Sequence, residues 1–393
     1  MDFNDSPSEA EFRGQVRTWL DTHAKDFMSS SDHTDVISFI AKAKTWQAKK
    51  AREGYAAIRW PKAEGGLDGT PMQEVIFQDE EARYDVPVGP FVTIGTQLAV
   101  PTLRTHGTPE QIEQFTQPTL QGELLWCQLF SEPSAGSDLA NVRTRAVKDG
   151  GDWVINGQKV WTSWAHVADW GILLARTDPE ATKHKGLTFF VVDMRSVGIE
   201  VRPIQQISGV SEFNEVFLTD LRIPDRYRIG AVGDGWKCAM TTLMNERVNV
   251  GGESQALPNV LELIERAQDQ SSGASLDRFK MAQLLTQEMG LRYFRFRLLT
   301  SLSKGETPGP IAAMSKLVYA NTLQELSAMA LDVTGLQKLQ AEGDKFQHGY
   351  EWAAALRIAG GTDEILRNQI AERVLGMPGE IRVDKNIPFS QCR

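Results

Sequence analysis

Cysteine is scarce: three residues in a chain of 393. Cys127, Cys238 and Cys392 are far apart and odd in number, which excludes a disulfide framework and a cysteine-based zinc site. A reducing, cytoplasmic setting is therefore expected. Histidine is sparse too. His23, His33, His106, His166, His184 and His348 show no His-x-x-x-His or Cys/His clustering, so no metal is expected. No apolar run reaches the ~18 residues that a membrane span needs. The start, Met1-Asp2-Phe3-Asn4-Asp5, is acidic and lacks the apolar core of a signal peptide. Ser315-Lys316-Leu317 is internal and cannot serve as a C-terminal address. Positive charge is in deficit: the net charge is −9, which argues against nucleic acid or an anionic membrane as the main partner. An anionic ligand would have to be held by local donors. There is no internal repeat and no low-complexity segment.

What is present is ordinary globular material, 41% hydrophobic and 24% charged, long enough for about two to three domains. The first third reads helical. Ser8-x-x-Glu11 reads as a capping box ahead of Phe12, Val16, Trp19 and Leu20 at helical spacing. Further helices are expected over 35–53 and 72–84, and Thr108-Pro109 starts another. From about 125 the texture changes. Trp153-Val154-Ile155, Asn156-Gly157 and Lys159-Val160-Trp161 predict a hairpin with a type I′ turn. Strands are expected at 171–176, 187–193, 198–204 and 213–218. No helix-length segment alternates with them, so a mostly antiparallel sheet or barrel is expected. After Gly233-Asp234-Gly235 four long helices are expected near 236–268, 275–303, 310–340 and 346–375, with Gly305 and Pro308-Gly309-Pro310 in one gap. The predicted fold class is α+β and predominantly helical: an N-terminal helical domain (1–124), a small antiparallel β-domain (125–234) and a C-terminal four-helix bundle (235–393).

Two segments carry chemistry. Ser131-Glu132-Pro133-Ser134-Ala135-Gly136-Ser137-Asp138 packs hydroxyls and a glycine into a turn. Such a turn exposes N–H groups and hydroxyls that cradle a phosphate or the polar edge of a ring. Trp161-Thr162-Ser163 brings an aromatic plane and a hydroxyl to the same region. Separately they read as a plain turn and a core tryptophan. Together they suggest a wall for a flat, phosphate-bearing cofactor.

The order of helices, β-domain and bundle, with Ser131-Glu132-x-x-Ala135-Gly136-Ser137-Asp138, Asn156-Gly157-Gln158-Lys159-x-Trp161-x-Ser163, Trp60-Pro61-x-x-x-Gly65-Gly66 and Gly361-Thr362, resembles the acyl-CoA dehydrogenase family over essentially the whole chain. The resemblance implies FAD and a CoA thioester, with electron-transfer flavoprotein as acceptor. It implies that Gln128, Phe130 and Ser131 line the pyrimidine side of the flavin, and that Ser137 approaches the pyrophosphate and the substrate's CoA. Trp161 would pack against the ring and Ser163 would donate toward N5. Thr362 would belong to the cofactor site. The implied reaction is α,β-dehydrogenation: a carboxylate removes the α proton while hydride leaves the β carbon.

Two departures from the family pattern matter. Many members carry the base in Tyr-Glu-Gly-Thr, whereas this chain reads Ala359-Gly360-Gly361-Thr362. Gly360 offers only its N–H, to the thioester oxygen. A minority places the base on the first bundle helix, where this chain has Glu246-Arg247. No Lys or Arg stands at i±3 or i±4 of Glu246 to make it part of an exposed ion-pair stripe. The alternatives are a solvated or bundle-buried Glu246 and a helix-surface Arg247; on the resemblance they are base and substrate-binding residue. The second departure concerns the segments that homotetrameric members use to complete a neighbour's FAD site. Here they read Arg278-Phe279-Lys280, without the expected spacing and glycine, and Asp332-Val333-Thr334-Gly335, with Asp for Gln. That resembles one subunit of a heteromeric, steroid side-chain type dehydrogenase paired with a second acyl-CoA dehydrogenase subunit; drift within a homo-oligomer is the alternative. A non-catalytic subunit completing a partner's site, and a flavin enzyme acting on a non-CoA substrate, are the other functional readings. Gly251-Gly252 make room for a wide substrate or allow close helix packing.

Overall fold

The computed structural model describes residues 5–28, 36–249, 257–268, 277–304, 311, 313–334 and 344–392; the side chains at 246–249, 299, 302, 303 and 334 lie outside that description. The N-terminal region opens with α1 (Pro7–His23), α2 (Val36–Arg52) and α3 (Pro71–Glu81). The capping box of α1 sits two residues earlier than expected. Ser6 Oγ accepts from Glu9 N–H, and the Glu9 carboxylate accepts from Ser6 N–H at 2.7 Å. Pro7 explains the shift, because proline suits the first helical position and makes the preceding serine the cap. Phe12, Val16 and Leu20 then bury against Trp46, Ile76 and Phe77.

Residues 91–106 form a helix that the sequence reading missed. Phe91–Ala99 is a π-helix running straight into α4 (Val100–His106). Pro101 lies just past the junction and removes a donor there; the wider helical pitch also scrambles the 3.6-residue period on which the reading relied. α5 (Pro109–Leu120) begins at Thr108 as expected, with a Thr108/Gln111 capping box.

The middle region is one eight-stranded sheet. Its strands are β1 (Trp126–Leu129), β2 (Arg145–Asp149), β3 (Asp152–Ser163), β4 (Trp170–Arg176), β5 (Leu187–Asp193), β6 (Ile199–Pro203), β7 (Phe213–Pro224) and β8 (Arg228–Ile229). The order is β6-β7-β3-β2-β4-β5-β8, with β1 on β4. Most pairs are antiparallel, but β1 runs parallel to β4, and Arg145 pairs in parallel with Arg176. β4 and β5 are buried on both faces, so they read as continuous apolar runs. Ile172 and Leu174 face the π-helix, α5 and Cys238, whereas Leu173 and Ala175 face Trp153, Val216 and Leu218.

The expected Asn156-Gly157 hairpin is corrected. β3 runs through these residues without turning, and Gly150-Gly151 makes the reversal between Asp149 and its partner Asp152. Asn156 instead braces an irregularity in β7: its side chain donates to Asp220 Oδ1 at 3.0 Å and accepts from Asp220 N–H at 2.9 Å. A Cβ on Gly157 would lie 2.4 Å from Thr144 Oγ1. The glycine therefore serves close strand approach and not a turn.

The C-terminal region contains α6 (Gly235–Asn249), α7 (Val260–Gln268), α8 (Arg278–Ser303), α9 (Ala313–Thr334), α10 (Lys345–Leu356) and α11 (Asp363–Arg373). The expected helix over 236–268 is thus two helices, with non-helical 257–259 ahead of α7, and the one over 346–375 is broken at 357–362. Pro258 and the pair Gly360-Gly361 stand at these breaks. Gly305, Pro308-Gly309-Pro310, Gly251-Gly252 and Gly335 lie outside the described residues. After α11 the chain returns to the sheet: Phe389 N–H donates to Ala181 O at 2.9 Å, and the Phe389 ring lies 3.4 Å beneath the Arg176 guanidinium. Among the described residues no helix is long and apolar enough to cross a membrane.

Candidate active site

The turn after β1 is held from inside. Glu132 points into the protein and accepts the N–H groups of Arg143 and Thr144 at 2.6 and 2.9 Å. It also accepts from Lys159 Nζ at 2.8 Å. Lys159 is 0% exposed and gives its other two protons to Phe130 O and Leu174 O at 3.0 and 2.8 Å. An ammonium has three donors, and all are used. Burial pulls Lys159 below its ordinary range. Burial also pushes Glu132 up, but Lys159 and the N–H donors outweigh it and hold the carboxyl below its usual range. This ion pair fastens the Ser131–Asp138 turn to β3. Sequence reading missed it; the available signal was an acid in a turn of small residues and a lysine inside an apolar strand.

Ser131 O accepts Val160 N–H at 3.0 Å, so the turn lies alongside the residue preceding Trp161. The turn's far end is pinned as well. Asp138 accepts from Lys183 Nζ at 2.7 Å, and Lys183 also bonds Asp384 of the returning C-terminal segment. Phe130 is buried, edge-on to Phe189 at 5.7 Å, so its ring packs behind the wall and does not form its surface.

β3 bulges before it ends. Lys159 pairs with Val216 and Thr162 with Asn214, which leaves β3 one residue long. Trp161 takes the extra turn in the left-handed region, at φ 58°, and the residue is 60% exposed. Ser163 follows, paired with Phe213. The structure thus sets Ser131 against Val160, the residue before Trp161, with Ser163 two residues further along β3 and Ser137 at the exposed end of the turn; Gln128 lies on β1, three residues before Ser131. The Gln128 amide and the hydroxyls of Ser131, Ser137 and Ser163 make no hydrogen bond among the described residues. Unengaged donors beside a bare aromatic plane fit a flat heteroaromatic ring with a phosphate tail.

The second part of the site is the 357–362 loop. Gly360 and Gly361 have φ of 65° and 101°, a conformation that side chains rarely adopt. Arg357 donates to Asp363 Oδ2 through Nε at 2.8 Å and Nη2 at 2.7 Å. Asn321 adds a third donor at 3.1 Å, and Lys316 Nζ donates to Gly361 O at 2.6 Å. Thr362 Oγ1 accepts from Ile365 N–H as the N-cap of α11, which leaves its proton available. The Gly360 N–H has no partner among the described residues. Arg357, Asp363 and Lys316 are further residues that sequence reasoning did not single out.

Glu246 and Arg247 belong to the end of α6; their side chains lie outside the described residues. α6 is fixed upstream of them. Thr242 Oγ1 lies 2.8 Å from Thr102 Oγ1 on α4, and Thr241 Oγ1 lies 2.7 Å from His106 Nε2.

Comparison with known proteins agrees along the chain. Residues 6–123, 127–221 and 233–375 match the family models described as acyl-CoA dehydrogenase N-terminal, middle and C-terminal domains. Acyl-CoA dehydrogenase FadE34 of Mycobacterium tuberculosis is 44% identical over 84% of this chain, which spans only 46% of that protein's length. Acyl-CoA dehydrogenase IpdE1 of the same organism is 39% identical over 95% of this chain and 98% of its own. A solved structure described as Tcur3481-Tcur3483 steroid ACAD superposes with a TM-score of 0.82 at 26% identity, covering 97% of this chain and 100% of that one.

Proposed function

The chain belongs to the acyl-CoA dehydrogenase family of flavin-dependent oxidoreductases, and we propose that it catalyses FAD-dependent α,β-dehydrogenation of an acyl-CoA thioester with Glu246 as the base. The observation that carries this reading is the Trp161–Ser163 edge, with Ser131 set against Val160. It presents an exposed aromatic plane beside donors with no partner among the described residues.

Gln128, Ser131 and Ser163 would hold the ring of FAD, Trp161 would pack against it, and Ser137 and Thr362 would hold the rest of the cofactor. FAD bound there supplies the acceptor for hydride leaving the β carbon. The Gly360 N–H donates to the thioester carbonyl oxygen and stabilises the negative charge that develops there as the α proton leaves. Gly360 has no side chain to take that proton, so the carboxylate comes from another element. Glu246, at the end of a helix anchored through Thr242 and Thr241, takes it, and Arg247 helps hold the substrate.

The partner reading rests on Arg278, Phe279 and Asp332. An exposed Asp332 is a poor group to offer a neighbour's adenosine diphosphate. Together with the paired naming of the steroid ACAD structure, this supports a hetero-oligomer with a second acyl-CoA dehydrogenase subunit, a bulky steroid-type acyl group and electron-transfer flavoprotein as acceptor. The test is to co-express the chain with its genomic neighbour, count FAD per chain at native mass, and assay an artificial electron acceptor with a sterol side-chain CoA thioester. Activity with one FAD per two chains supports the reading. One FAD per chain in a homotetramer removes the heteromeric part, and a colourless, inactive complex removes the enzymatic part.

A further inference from the structure

The bulge that exposes Trp161 is built by residues outside both sequence motifs. Trp161 and Trp164 both lie in the left-handed region, at φ 58° and 60°. Such a conformation is strained for a tryptophan and persists only where its surroundings over-determine it. One side chain sits between them. Asn214 is 0% exposed. Its Nδ2 donates to Thr162 O at 2.9 Å and Glu212 O at 3.0 Å, and its Oδ1 accepts from His166 Nδ1 at 3.1 Å. Glu212 O also receives Trp164 N–H at 2.8 Å. The amide therefore ties the carbonyl following Trp161 to the carbonyl that captures Trp164. Burial holds His166 below its ordinary pKa, which keeps the ring neutral; with both amide protons on carbonyls, the network assigns the His166 proton to Nδ1.

The ring of Trp161 is supported separately. Phe213, next to Asn214 on β7, meets Trp161 edge-on at 6.2 Å and 87°. Phe213 stacks in turn on Trp352 of α10 at 5.8 Å and 5°. Offset-stacked and edge-on pairs of this kind contribute orientation beyond area burial, and here they run from the bundle to the exposed ring.

We propose that Asn214 and Trp352 are positioning residues for the Trp161–Ser163 edge, Asn214 fixing its backbone and Trp352, through Phe213, the plane of its ring. The inference rests on the flavin reading of that edge. Asn214→Asp is nearly isosteric, yet it places a carboxylate oxygen against the two carbonyls that now receive N–H bonds, so the bulge must open. Trp352→Ala removes the far end of the stack from a half-buried surface position, and Trp352→Phe keeps an aromatic plane there.

The test uses the full chain, with its partner subunit where it requires one, labelled with 5-fluorotryptophan. The Trp161 fluorine resonance is assigned by its loss in Trp161→Phe, and flavin emission is read in parallel. The expected result is a displaced Trp161 resonance in Asn214→Asp and Trp352→Ala. Bound-flavin emission should rise several-fold in both as the quenching ring leaves its place, and both signals should return in Trp352→Phe. An unmoved Trp161 resonance in both variants overturns the proposal. If Asn214→Asp does not fold, the Trp352 pair decides. If the wild type takes up no flavin, the functional reading fails, while the fluorine resonance of the flavin-free protein still decides the positioning claim.

Discussion

Replacing Lys159 by methionine tests the join between the two motif segments. The ammonium makes three short bonds, to Glu132, Phe130 O and Leu174 O, at 2.8, 3.0 and 2.8 Å. Lys159→Met leaves the buried Glu132 carboxylate with only its two N–H donors and strips both carbonyls of their partner. Breaking one side of a buried pair costs about 3–5 kcal/mol. The lower end applies if water reaches the carbonyls, and the upper end if methionine fills the space and keeps it dry. Against a total stability of about 5–15 kcal/mol this is a large fraction. The assay is isothermal urea unfolding followed by tryptophan fluorescence, at fixed protein concentration so that any subunit equilibrium stays constant. Glu132→Gln and the double variant complete a cycle, in which the double should cost clearly less than the sum of the singles. Flavin retention should fall with stability, because Val160 and Trp161 follow Lys159 directly. A loss below about 1 kcal/mol in Lys159→Met, or strict additivity in the cycle, would refute the reasoning.

Three further outcomes follow from the same geometry. Burial pushes the Glu80 carboxyl up, but Arg17, Arg13 and Arg83 outweigh it and hold it at about 2 against an ordinary 4.5. Its contribution is therefore complete above the ordinary value and is lost as pH falls through 4.5 toward 2. With two of the arginines exposed this amounts to roughly 1–3 kcal/mol; Glu80→Gln should flatten the acid limb of a stability–pH curve, and an unchanged slope contradicts the assignment. Lys183→Ala frees both Asp138 and Asp384, and limited proteolysis should cut the segment after α11 faster than in wild type, whereas equal rates would show that the Phe389 contacts with Arg176 and Ala181 hold it without Lys183. Asp363→Asn weakens the grip of Arg357 on the Gly360-Gly361 loop; KM for the CoA thioester should rise with flavin content unchanged, and a fall in flavin content alone would place the loop in the wrong half of the site.

The architecture was legible where sequence encodes it locally. Thr108-Pro109 and the buried runs of β4 and β5 needed only capping chemistry and hydrophobicity. The failures share a cause, which is tertiary context overriding a local signal. Asn156-Gly157 is a strong hairpin dipeptide, yet Gly157 is there to let β3 pass Thr144 and Gly150-Gly151 makes the turn. The π-helix has no 3.6-residue period to find. Glu132 and Lys159 stand 27 residues apart, so their pairing is invisible until β1 and β3 meet. Asn214 reads as an unremarkable strand residue, and only its bonds to Thr162 and Glu212 show its work. By contrast residue chemistry suggested a cofactor wall at Trp161–Ser163, which flavin binding would test, and the loss of an acid at Gly360 was legible only against the family pattern.

Glu246 is proposed to remove the α proton at a flavin site that has glycine at position 360. That role is tested most directly by anaerobic mixing of the flavin-loaded complex with a sterol side-chain CoA thioester, followed at the flavin absorption band. Rapid bleaching is expected in wild type and none in Glu246→Gln, with FAD content and thioester binding retained in the variant. Bleaching at the wild-type rate in Glu246→Gln would contradict it.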